Sequence, residues 1–376
     1  MNSPVNARGH ERPSPARRAA PRHRAARRVS ALVLLCAAIA STSCASKLGS
    51  RALPDTRLDY NAAIAESSET QMLLNVVRLR YQHSPQFLEL NSVVTQYTLT
   101  QTAGASGAAN FANPNMIAPG ASAGANVGVT VTERPTVTYT PLQGEKFVKR
   151  LLKPITPEVV LMLLEAGWSA DLLFRVCVRR INELHAPPYA ERGATPSSFE
   201  RFTALLQALQ DAHALNVEFV NVGERVEAVL VPRRQADGRP HPAAIEALRM
   251  IGVDPGLPAY RLVAGGIRRA PNEIVMHGRS LLSALFYLSQ GVSVPAGDPA
   301  ARELGRAPLT SPLLRVKTSS KPPTRAYAKA RYRGQWYYIA EDDPRSRGPF
   351  VLLNALFSLM STAPQGSAPV LTVPAG

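Results

Sequence analysis

The side chains that could perform acid–base, nucleophilic or metal chemistry are scattered along this sequence. Histidine occurs at five positions after residue 43, without a metal-ligating spacing such as H-E-x-x-H: His83, His185, His213, His241 and His277. The letters of G-x-S-x-G occur from Gly120 to Gly124, but inside an Ala/Gly tract and not between a strand and a helix. The sequence therefore predicts no catalytic residue, no metal site and no cofactor, and it favours a protein that is not an enzyme.

One compact acidic cluster, Glu341-Asp342-Asp343, has the oxygen ligands that a divalent cation requires. The cluster follows a predicted strand and directly precedes Pro344 and a predicted helix. Carboxylates at a helix N-terminus accept hydrogen bonds from the free N–H groups there and complement the helix dipole. We therefore interpret the cluster as a helix cap and not as a metal site.

The amino terminus carries the pattern of an export signal. Residues 1–43 hold eight arginines and one acidic residue, and the apolar run VSALVLLCAAIA follows the arginines from Val29 to Ala40. Eighteen uncharged residues separate Arg28 from Lys47, close to the lower limit for a membrane-spanning helix. Because serine and threonine make the end of this stretch a poor span, we predict a signal peptide over residues 1–43.

Cys44 is the residue with the clearest predicted chemistry. Ser41-Thr42-Ser43-Cys44 resembles a bacterial lipobox, in which small residues precede the cysteine that receives a diacylglyceryl group. Ala45 resembles the residue that follows this cysteine in lipoproteins sorted to the outer membrane. Two alternatives are cleavage after Ala38-Ile39-Ala40, which would release a soluble protein, and an uncleaved anchor. We expect a palmitate-bearing lipoprotein that is anchored in the bacterial outer membrane and faces the periplasm.

The third cysteine, Cys177, is the only one left in the folded part of the chain if Cys36 leaves with the signal and Cys44 carries lipid. No intramolecular disulfide can then form. Apolar residues surround Cys177 in the sequence, which predicts an inert core cysteine and not a reactive thiol.

The net charge of +16 lies mainly in two segments. The predicted signal peptide holds part of it, and residues 261–347 hold 15 basic against 6 acidic residues. In an exported protein we expect no nucleic-acid partner, and the available polyanions are lipopolysaccharide, anionic phospholipid and peptidoglycan. The plainer interpretation, which we favour, is a solvated surface in an arginine-rich composition.

Within this basic segment, four residues could bind an anionic surface: Arg325, Lys329, Arg331 and Arg333. They alternate along one predicted strand, so we expect them to share a face. The aromatic residues between Tyr327 and Tyr338 could bind glycan or polypeptide, although half-buried sheet packing is the better prediction for them.

The elements that must position these residues alternate between helices and hairpins, which predicts an α+β fold of amphipathic helices on short antiparallel hairpins. After the signal peptide, we predict a tether at residues 44–58, an N-terminal α+β region at 59–231 and a basic C-terminal α+β region at 241–376. The first predicted helix starts at Asp59. The other predicted helices cover 144–155, 157–166, 169–184, 198–213, 242–251, 280–289 and 350–360. Predicted hairpins cover 217–232 and 326–340, and short strands cover 260–264, 273–276 and the closing VLTVP.

A long hairpin at residues 90–140 is the most unusual predicted element. Val93 to Leu99 alternate between apolar and polar residues, as do Val127 to Thr132, and a low-complexity Ala/Gly loop joins them. No charged residue occurs from Leu90 to Thr132. One hypothesis is that several copies each lend the 93–132 hairpin to an outer-membrane pore or secretion assembly. The alternative is a sheet that packs one face on the helix from Asp59.

Several short runs resemble an uncharacterised family of proteobacterial exported, outer-membrane lipoproteins. The similar runs are Asp59-Tyr60-Asn61, NVVRLRY from Asn75, TQY from Thr95, ERPTVTYTPLQGE from Glu133 and the closing VLTVP. The family has no established activity, so the resemblance implies an address in the envelope and no catalytic or binding residue.

Three functions therefore remain open after the sequence alone. We expect a lipid-anchored, non-enzymatic scaffold, assembly or binding module, with lipopolysaccharide, peptidoglycan or an envelope protein as partner and with a homo-oligomer as one arrangement. A subunit of a pore or secretion assembly is the second, and an enzyme that acts on an envelope polymer is the third.

Overall fold

The computed structural model describes residues 53–109, 121–187, 197–222, 225–295, 297–299 and 312–360. The predicted signal peptide, Cys44, most of the tether and the closing VLTVP lie outside these ranges. The chain divides into one unit that ends at Glu66 and another from Ser67 to Gly376. Among the described residues, no helix combines the length and the apolar character that a membrane crossing requires.

The first helix, α1 (Leu53–Arg80), starts six residues before the predicted Asp59. Pro54 lies in its first turn, where a helix makes no use of the missing N–H group, so the helix can begin ahead of the predicted cap. In its last turns the buried face consists of Met72, Leu73, Val76 and Val77.

Two polar side chains of α1 hold the strand that follows it. The Asn75 amide accepts a hydrogen bond from the Gln86 backbone N–H at 2.8 Å and donates to the Gln86 carbonyl at 2.7 Å. Gln71 makes the same two bonds with the backbone of Leu88. Asn75 is buried, so these bonds satisfy an amide that would otherwise be costly to remove from water.

The predicted hairpin is present and is longer than expected. Strands β1 (Phe87–Ala109) and β2 (Ala121–Leu142) pair antiparallel from Phe87↔Leu142 to Ala109↔Ala121, with one register shift between Leu90 and Ser92. The ladder therefore continues into the stretch that we predicted as an Ala/Gly loop. Residues 134–141 are all exposed, so neither face of this part of the hairpin is covered by described residues.

Four helices follow: α2 (Glu145–Leu152), α3 (Pro157–Glu165), α4 (Ala170–Cys177) and α5 (Ser198–Asp211). Helix α5 begins with a reciprocal capping box between Ser197 and Glu200. The helix predicted over 169–184 is wrong after Cys177, where the chain becomes strand β3 (Val178–Ile181) and strand β4 (Leu184–His185). Pairing with a neighbouring strand overrides the helical spacing, and Ile181 is buried in β3.

The remaining strands of this sheet are β5 (Leu215–Val222), β6 (Arg225–Pro232), β7 (Tyr260–Ala264) and β8 (Glu273–Gly278), and the order is β4-β3-β8-β7-β6-β5. Only β7 and β8 are parallel. Helices α3, α4, α5 and α6 (Pro242–Met250) cover one face and leave a small apolar cavity of about 40 Å³. Strands from both sides of residues 232–240 thus share one sheet, and the fold is α+β.

Helix α7 (Leu281–Ser289) precedes a second, three-stranded sheet of order β10-β11-β9, built from β9 (Lys317–Ser319), β10 (Ala326–Tyr332) and β11 (Gln335–Ala340). The predicted hairpin at 326–340 is confirmed, and Arg333 and Gly334 form its turn with φ angles of 48° and 81°. Helix α8 (Pro344–Met360) starts earlier than predicted, because Asp343 caps it by accepting hydrogen bonds from the N–H and the hydroxyl of Ser346.

Side chains from the end of α1 join the three-stranded sheet. The hydroxyls of Tyr81 and Tyr337 lie 2.6 Å apart, and Tyr81 also donates to Asp298 at 3.0 Å. Tyr327 donates to Glu69 at 2.9 Å. These contacts connect residues that are about 250 positions apart in the sequence.

Candidate anion-binding cavity

Three neighbouring strands place three basic side chains in one row. In the register of the large sheet, Arg180 of β3 is paired with His185 of β4 on one side and with His277 of β8 on the other. Directly paired residues lie on the same face of a sheet, with Cβ atoms about 5 Å apart. Like charges in such positions repel each other. This row is therefore unfavourable unless one of its members is neutral or an anion binds beside it.

The protonation of His277 relieves part of this repulsion. The Arg180 Nη2 lies 2.5 Å from the His277 Nε2, and a guanidinium can only donate, so the imidazole nitrogen accepts. Burial lowers the pKa of His277 from its ordinary value, and the charges of Arg180 and Arg179 lower this pKa further. The imidazole is therefore neutral at pH 7 in the absence of an anion.

A β-bulge adds a second arginine to the row. The ladder between β3 and β8 shifts register between Val178 and Arg180. Neighbouring residues of a regular strand point to opposite faces, but a bulge changes the direction of one side chain. Arg179 and Arg180 consequently both line the same cavity.

Arg279 forms the buried end of this cavity. Its backbone N–H donates to the Cys177 carbonyl at 2.6 Å, and its carbonyl accepts from the Ile155 N–H at 2.9 Å. Its guanidinium carbon lies 4.3 Å from the centre of the Tyr287 ring, and its Nη2 donates to the Pro187 carbonyl at 3.4 Å. Arg279 is only 5% exposed, and its Nε has no hydrogen-bond partner among the residues that the structure describes.

The position of Arg279 depends on the glycine before it. A Cβ atom on Gly278 would lie 1.9 Å from the Ile155 carbonyl oxygen, a distance at which backbone atoms must move. Glycine therefore lets the end of β8 pass close to the segment before α3. This close approach fixes the Ile155–Arg279 hydrogen bond and with it the direction of the arginine side chain.

Helix α7 supplies the opposite wall. Ser280 caps the helix by accepting the Ser283 N–H at 3.2 Å, and one helical face presents Ser283, Phe286 and Tyr287 to the cavity. Burial raises the pKa of Tyr287, so its hydroxyl keeps its proton. The wall thus offers an exposed aromatic ring at the rim and two hydroxyl groups deeper inside.

The complete cavity has a volume of about 580 Å³ and five basic side chains: Arg179, Arg180, His185, His277 and Arg279. This volume is typical of small-molecule sites, which span about 300–1,000 Å³. No acidic residue is among the described residues that line it. Arg279 is buried beside like charges, and burial lowers its pKa, so the cavity is chemically suited to an anion.

The predicted basic surface is only partly assembled. Lys329 and Arg331 are exposed on one face of β10, between the buried Ala328 and Ala330, and they pair with Tyr338 and Trp336 of β11. Arg325 is exposed just before the strand.

Arg333 does not continue this row as we predicted. It lies in the turn after β10, where its guanidinium forms an ion pair with Asp298 at 3.5 Å and lies over the ring of Tyr81. The turn changes the direction of the chain, so the alternation that relates Lys329 to Arg331 ends at Tyr332.

Other sequence predictions have definite outcomes. Cys177 is fully buried, and burial raises the pKa of its thiol to about 12, as expected of an inert core cysteine. Asp343 acts as a helix cap, and Glu341 forms an ion pair with Arg347 at 3.5 Å. Cys44 lies outside the described residues.

Sequence reasoning missed all five cavity residues. Arg179 and Arg180 were assigned to a helix, which would have turned them away from His277. The adjacent basic residues Arg179-Arg180 and the pair His277 and Arg279 were the available signals, but only the strand pairing brings them together. Comparison of this chain with protein-family models, with curated proteins and with solved structures found no match.

Proposed function

We propose that this protein is a lipid-anchored, non-enzymatic binding module of the bacterial envelope whose cavity holds an organic phosphate. The observation that carries the proposal is the convergence of three guanidinium groups and two imidazoles on one cavity, without a carboxylate among its described lining residues.

Phosphate fits this donor set better than a carboxylate does. A phosphomonoester carries a charge of about −1.5 to −2 at pH 7 and three terminal oxygens, whereas a carboxylate carries one charge and two oxygens. Arginine guanidinium groups can bind phosphate oxygens in pairs, and three guanidinium groups line this cavity. A dianion would also offset the repulsion within the row of Arg180, His185 and His277.

The ligand is larger than inorganic phosphate. The cavity volume of about 580 Å³ leaves room for an organic group beside the phosphate. Phe286 at the rim and the buried Ala186 and Tyr287 provide apolar surface for that group. In the proposed location, phosphorylated glycolipid headgroups such as those of lipopolysaccharide, and anionic phospholipids, have this chemistry.

The binding test uses the mature chain, calorimetry, and three probes: pyrophosphate, glucose 1-phosphate and glucose. We expect both phosphates to bind and glucose not to bind. A hydrogen bond to a charged group contributes about 1.5–3 kcal/mol, so Arg180→Gln should weaken glucose 1-phosphate binding by about tenfold or more, and Arg279→Gln should do so as well and also remove the contacts of Arg279 with Tyr287 and Pro187.

The matched control removes charge from the other basic surface. Replacement of Arg325, Lys329 and Arg331 by glutamine should change glucose 1-phosphate affinity by less than about twofold, because these side chains are exposed and do not line the cavity. The proposal fails if this triple variant loses binding while the two cavity variants keep it. Vesicles with and without lipopolysaccharide then distinguish glycolipid from phospholipid as the source of the phosphate.

The anchor is tested separately through Cys44. Cys44→Ala should abolish incorporation of radiolabelled palmitate and release the mature protein into the soluble periplasmic fraction, because the cysteine that is proposed to carry lipid is removed. Labelling that survives the substitution would contradict the lipid anchor and would leave the cavity proposal unaffected.

A further inference from the structure

The three-stranded sheet packs one face on the core and turns the other toward solvent. Ala328, Ala330, Tyr337 and Ile339 are buried and therefore belong to the covered face. Neighbouring residues of a strand lie on opposite faces, so the residues that alternate with these four, together with their partners in β9, form the other face. We call it the outer sheet face, and it consists of Lys317, Ser319, Lys329, Arg331, Trp336 and Tyr338.

The strand order places two aromatic rings between two strands that carry cations. In the central strand β11, Tyr338 is paired with Lys329 of β10 on one side and with Lys317 of β9 on the other. Trp336 is paired with Arg331 of β10. Paired side chains have Cβ atoms about 5 Å apart, and residues two positions apart on one strand are separated by about 7 Å. The rings therefore form a short row with cations on both sides.

The side chains of the outer sheet face are available to a partner. Lys317, Lys329 and Arg331 are exposed, and none of the ion pairs among the described residues includes them. Trp336 and Tyr338 are partly exposed, and in the described part of the chain neither ring stacks on another ring or on a cation. No position of this face is acidic. The face is consequently both aromatic and positively charged.

This combination fits an acidic polysaccharide. A sugar ring has a face of C–H groups that can pack on an aromatic ring, and this contact removes apolar surface from water. Carboxylate groups on the same sugar chain can then form ion pairs with the cations beside the rings. Two of the three cations are lysines, which act as single point charges, so the face suits separate carboxylates better than one dianion.

We propose that the outer sheet face binds a polysaccharide with carboxylate groups along an extended chain. A sheet face, unlike the cavity, lets a polymer continue beyond the residues that hold it. Exposed ion pairs contribute little by themselves, so stacking on Trp336 and Tyr338 supplies most of the affinity. In the envelope location proposed above, the glycan strands of peptidoglycan have this chemistry. The inference rests on that location for the source of the polymer, and it does not depend on the cavity.

The first test compares three soluble polymers at physiological salt by fluorescence polarisation: hyaluronan, dextran and polyglutamate. Hyaluronan has sugar rings and carboxylates, whereas dextran has only the sugar rings and polyglutamate only the carboxylates. We expect the mature chain to bind hyaluronan and to bind the other two about tenfold more weakly, because each lacks one of the two contacts. Equal binding of dextran or polyglutamate overturns the proposal. Tighter binding of oligothymidylate also overturns it, because nucleic acid would then be the better partner.

Alanine variants test the two rings. Trp336→Ala and Tyr338→Ala should each weaken hyaluronan binding by about tenfold, as is typical of aromatic side chains at the centre of an interface. Trp336→Phe keeps a ring and should retain most of the affinity. The matched control is Tyr139→Ala, because Tyr139 is 51% exposed and belongs to β2, outside this sheet. Equal losses in Trp336→Ala and Tyr139→Ala contradict the proposal.

Paired lysine variants test the cations. Lys317→Gln with Lys329→Gln removes both cations beside Tyr338, whereas Lys146→Gln with Lys153→Gln removes two exposed cations outside the sheet. We expect hyaluronan affinity to fall by about fivefold in the first variant and by less than about twofold in the second. Equal losses would mean that net charge, and not the register of this sheet, determines binding, which overturns the proposal.

Trp336 also reports directly on the contact. The chain has two tryptophans, so Trp168→Phe leaves Trp336 as the only one. We expect hyaluronan to change the fluorescence emission of Trp336 and polyglutamate to leave it unchanged. An emission spectrum that hyaluronan does not change overturns the proposal, since the sugar would then not reach the ring.

Purified peptidoglycan sacculi test the source of the polymer. We expect the mature chain to sediment with sacculi, and we expect Trp336→Ala and an excess of hyaluronan each to reduce the sedimented fraction. A chain that stays in the supernatant overturns peptidoglycan as the partner. Chemical denaturation shows whether each variant is folded, and glucose 1-phosphate binding, which these variants should retain, keeps failure of this proposal separate from failure of the cavity proposal.

Discussion

The cavity and the outer face of β10 both contain basic residues, and they differ in almost every other respect. Lys329 and Arg331 point into solvent from one strand, where water and salt screen them. Arg180 and Arg279 come from different parts of the chain and meet in a concave site, where Arg279 is buried. The comparison teaches that net charge locates a basic segment, whereas convergence and desolvation make a binding site.

The largest expected effect comes from a substitution where the end of β8 passes close to the segment before α3. Gly278→Ala places a methyl group against the Ile155 carbonyl, and overpacking of this kind costs about 3 kcal/mol. We expect chemical denaturation to show this loss in the free energy of unfolding, together with glucose 1-phosphate binding at least tenfold weaker. Gly297→Ala is the matched control, because among the described residues no atom beyond its chain neighbours lies within 4 Å of the added Cβ. Equal stability of the two variants would mean that the close approach at Gly278 does not position Arg279.

A second prediction concerns pH. It separates the cavity from the predicted face of β10, because no histidine belongs to that face. His277 faces Arg179, Arg180 and His185 in the sheet, and Arg279 and Tyr287 complete the cavity. Its pKa is lowered in the folded state, so the unfolded chain binds a proton near pH 6.5 while the folded protein does not. The free energy of unfolding should therefore fall as the pH drops below about 6.5.

A bound dianion should have the opposite effect, because it stabilises the protonated form of His277. Sulfate keeps its charge over this pH range, and its presence favours protonated His277, so sulfate affinity should rise by severalfold from pH 7 to pH 5. Calorimetry at several pH values measures this change, and His277→Gln should reduce it. A pH-independent affinity in the unmodified protein would show that His277 does not face the anion.

The smallest expected effect belongs to the exposed surface. Replacement of Arg325, Lys329, Arg331 and Arg333 by glutamine should weaken sedimentation with anionic vesicles at low salt by severalfold and have little effect at physiological salt. A triple variant that keeps Arg333 separates the exposed residues from the ion pair with Asp298. Binding that is indifferent to salt would argue against a charge-driven contact on this face.

Local patterns in the sequence predict most helices and strands, but they do not predict the cavity. The Ser197–Glu200 capping box and the Arg333-Gly334 turn are encoded by adjacent residues, and both are in the structure. The change from α4 to β3 at Val178 depends on β8, which lies about 100 residues later in the chain. The row of His185, Arg180 and His277 is a product of that long-range pairing, so periodicity within one segment could not predict it.

The link between Tyr81 and Tyr337 has a consequence for the order of folding. The first helix can complete its contacts only after the three-stranded sheet exists, because Glu69 and Tyr81 bind residues 327 and 337. Closing so long a loop is entropically unfavourable, and contacts of this separation slow folding. For a chain that we propose to be exported, the last part to emerge from the translocation channel would therefore be the part that completes the fold.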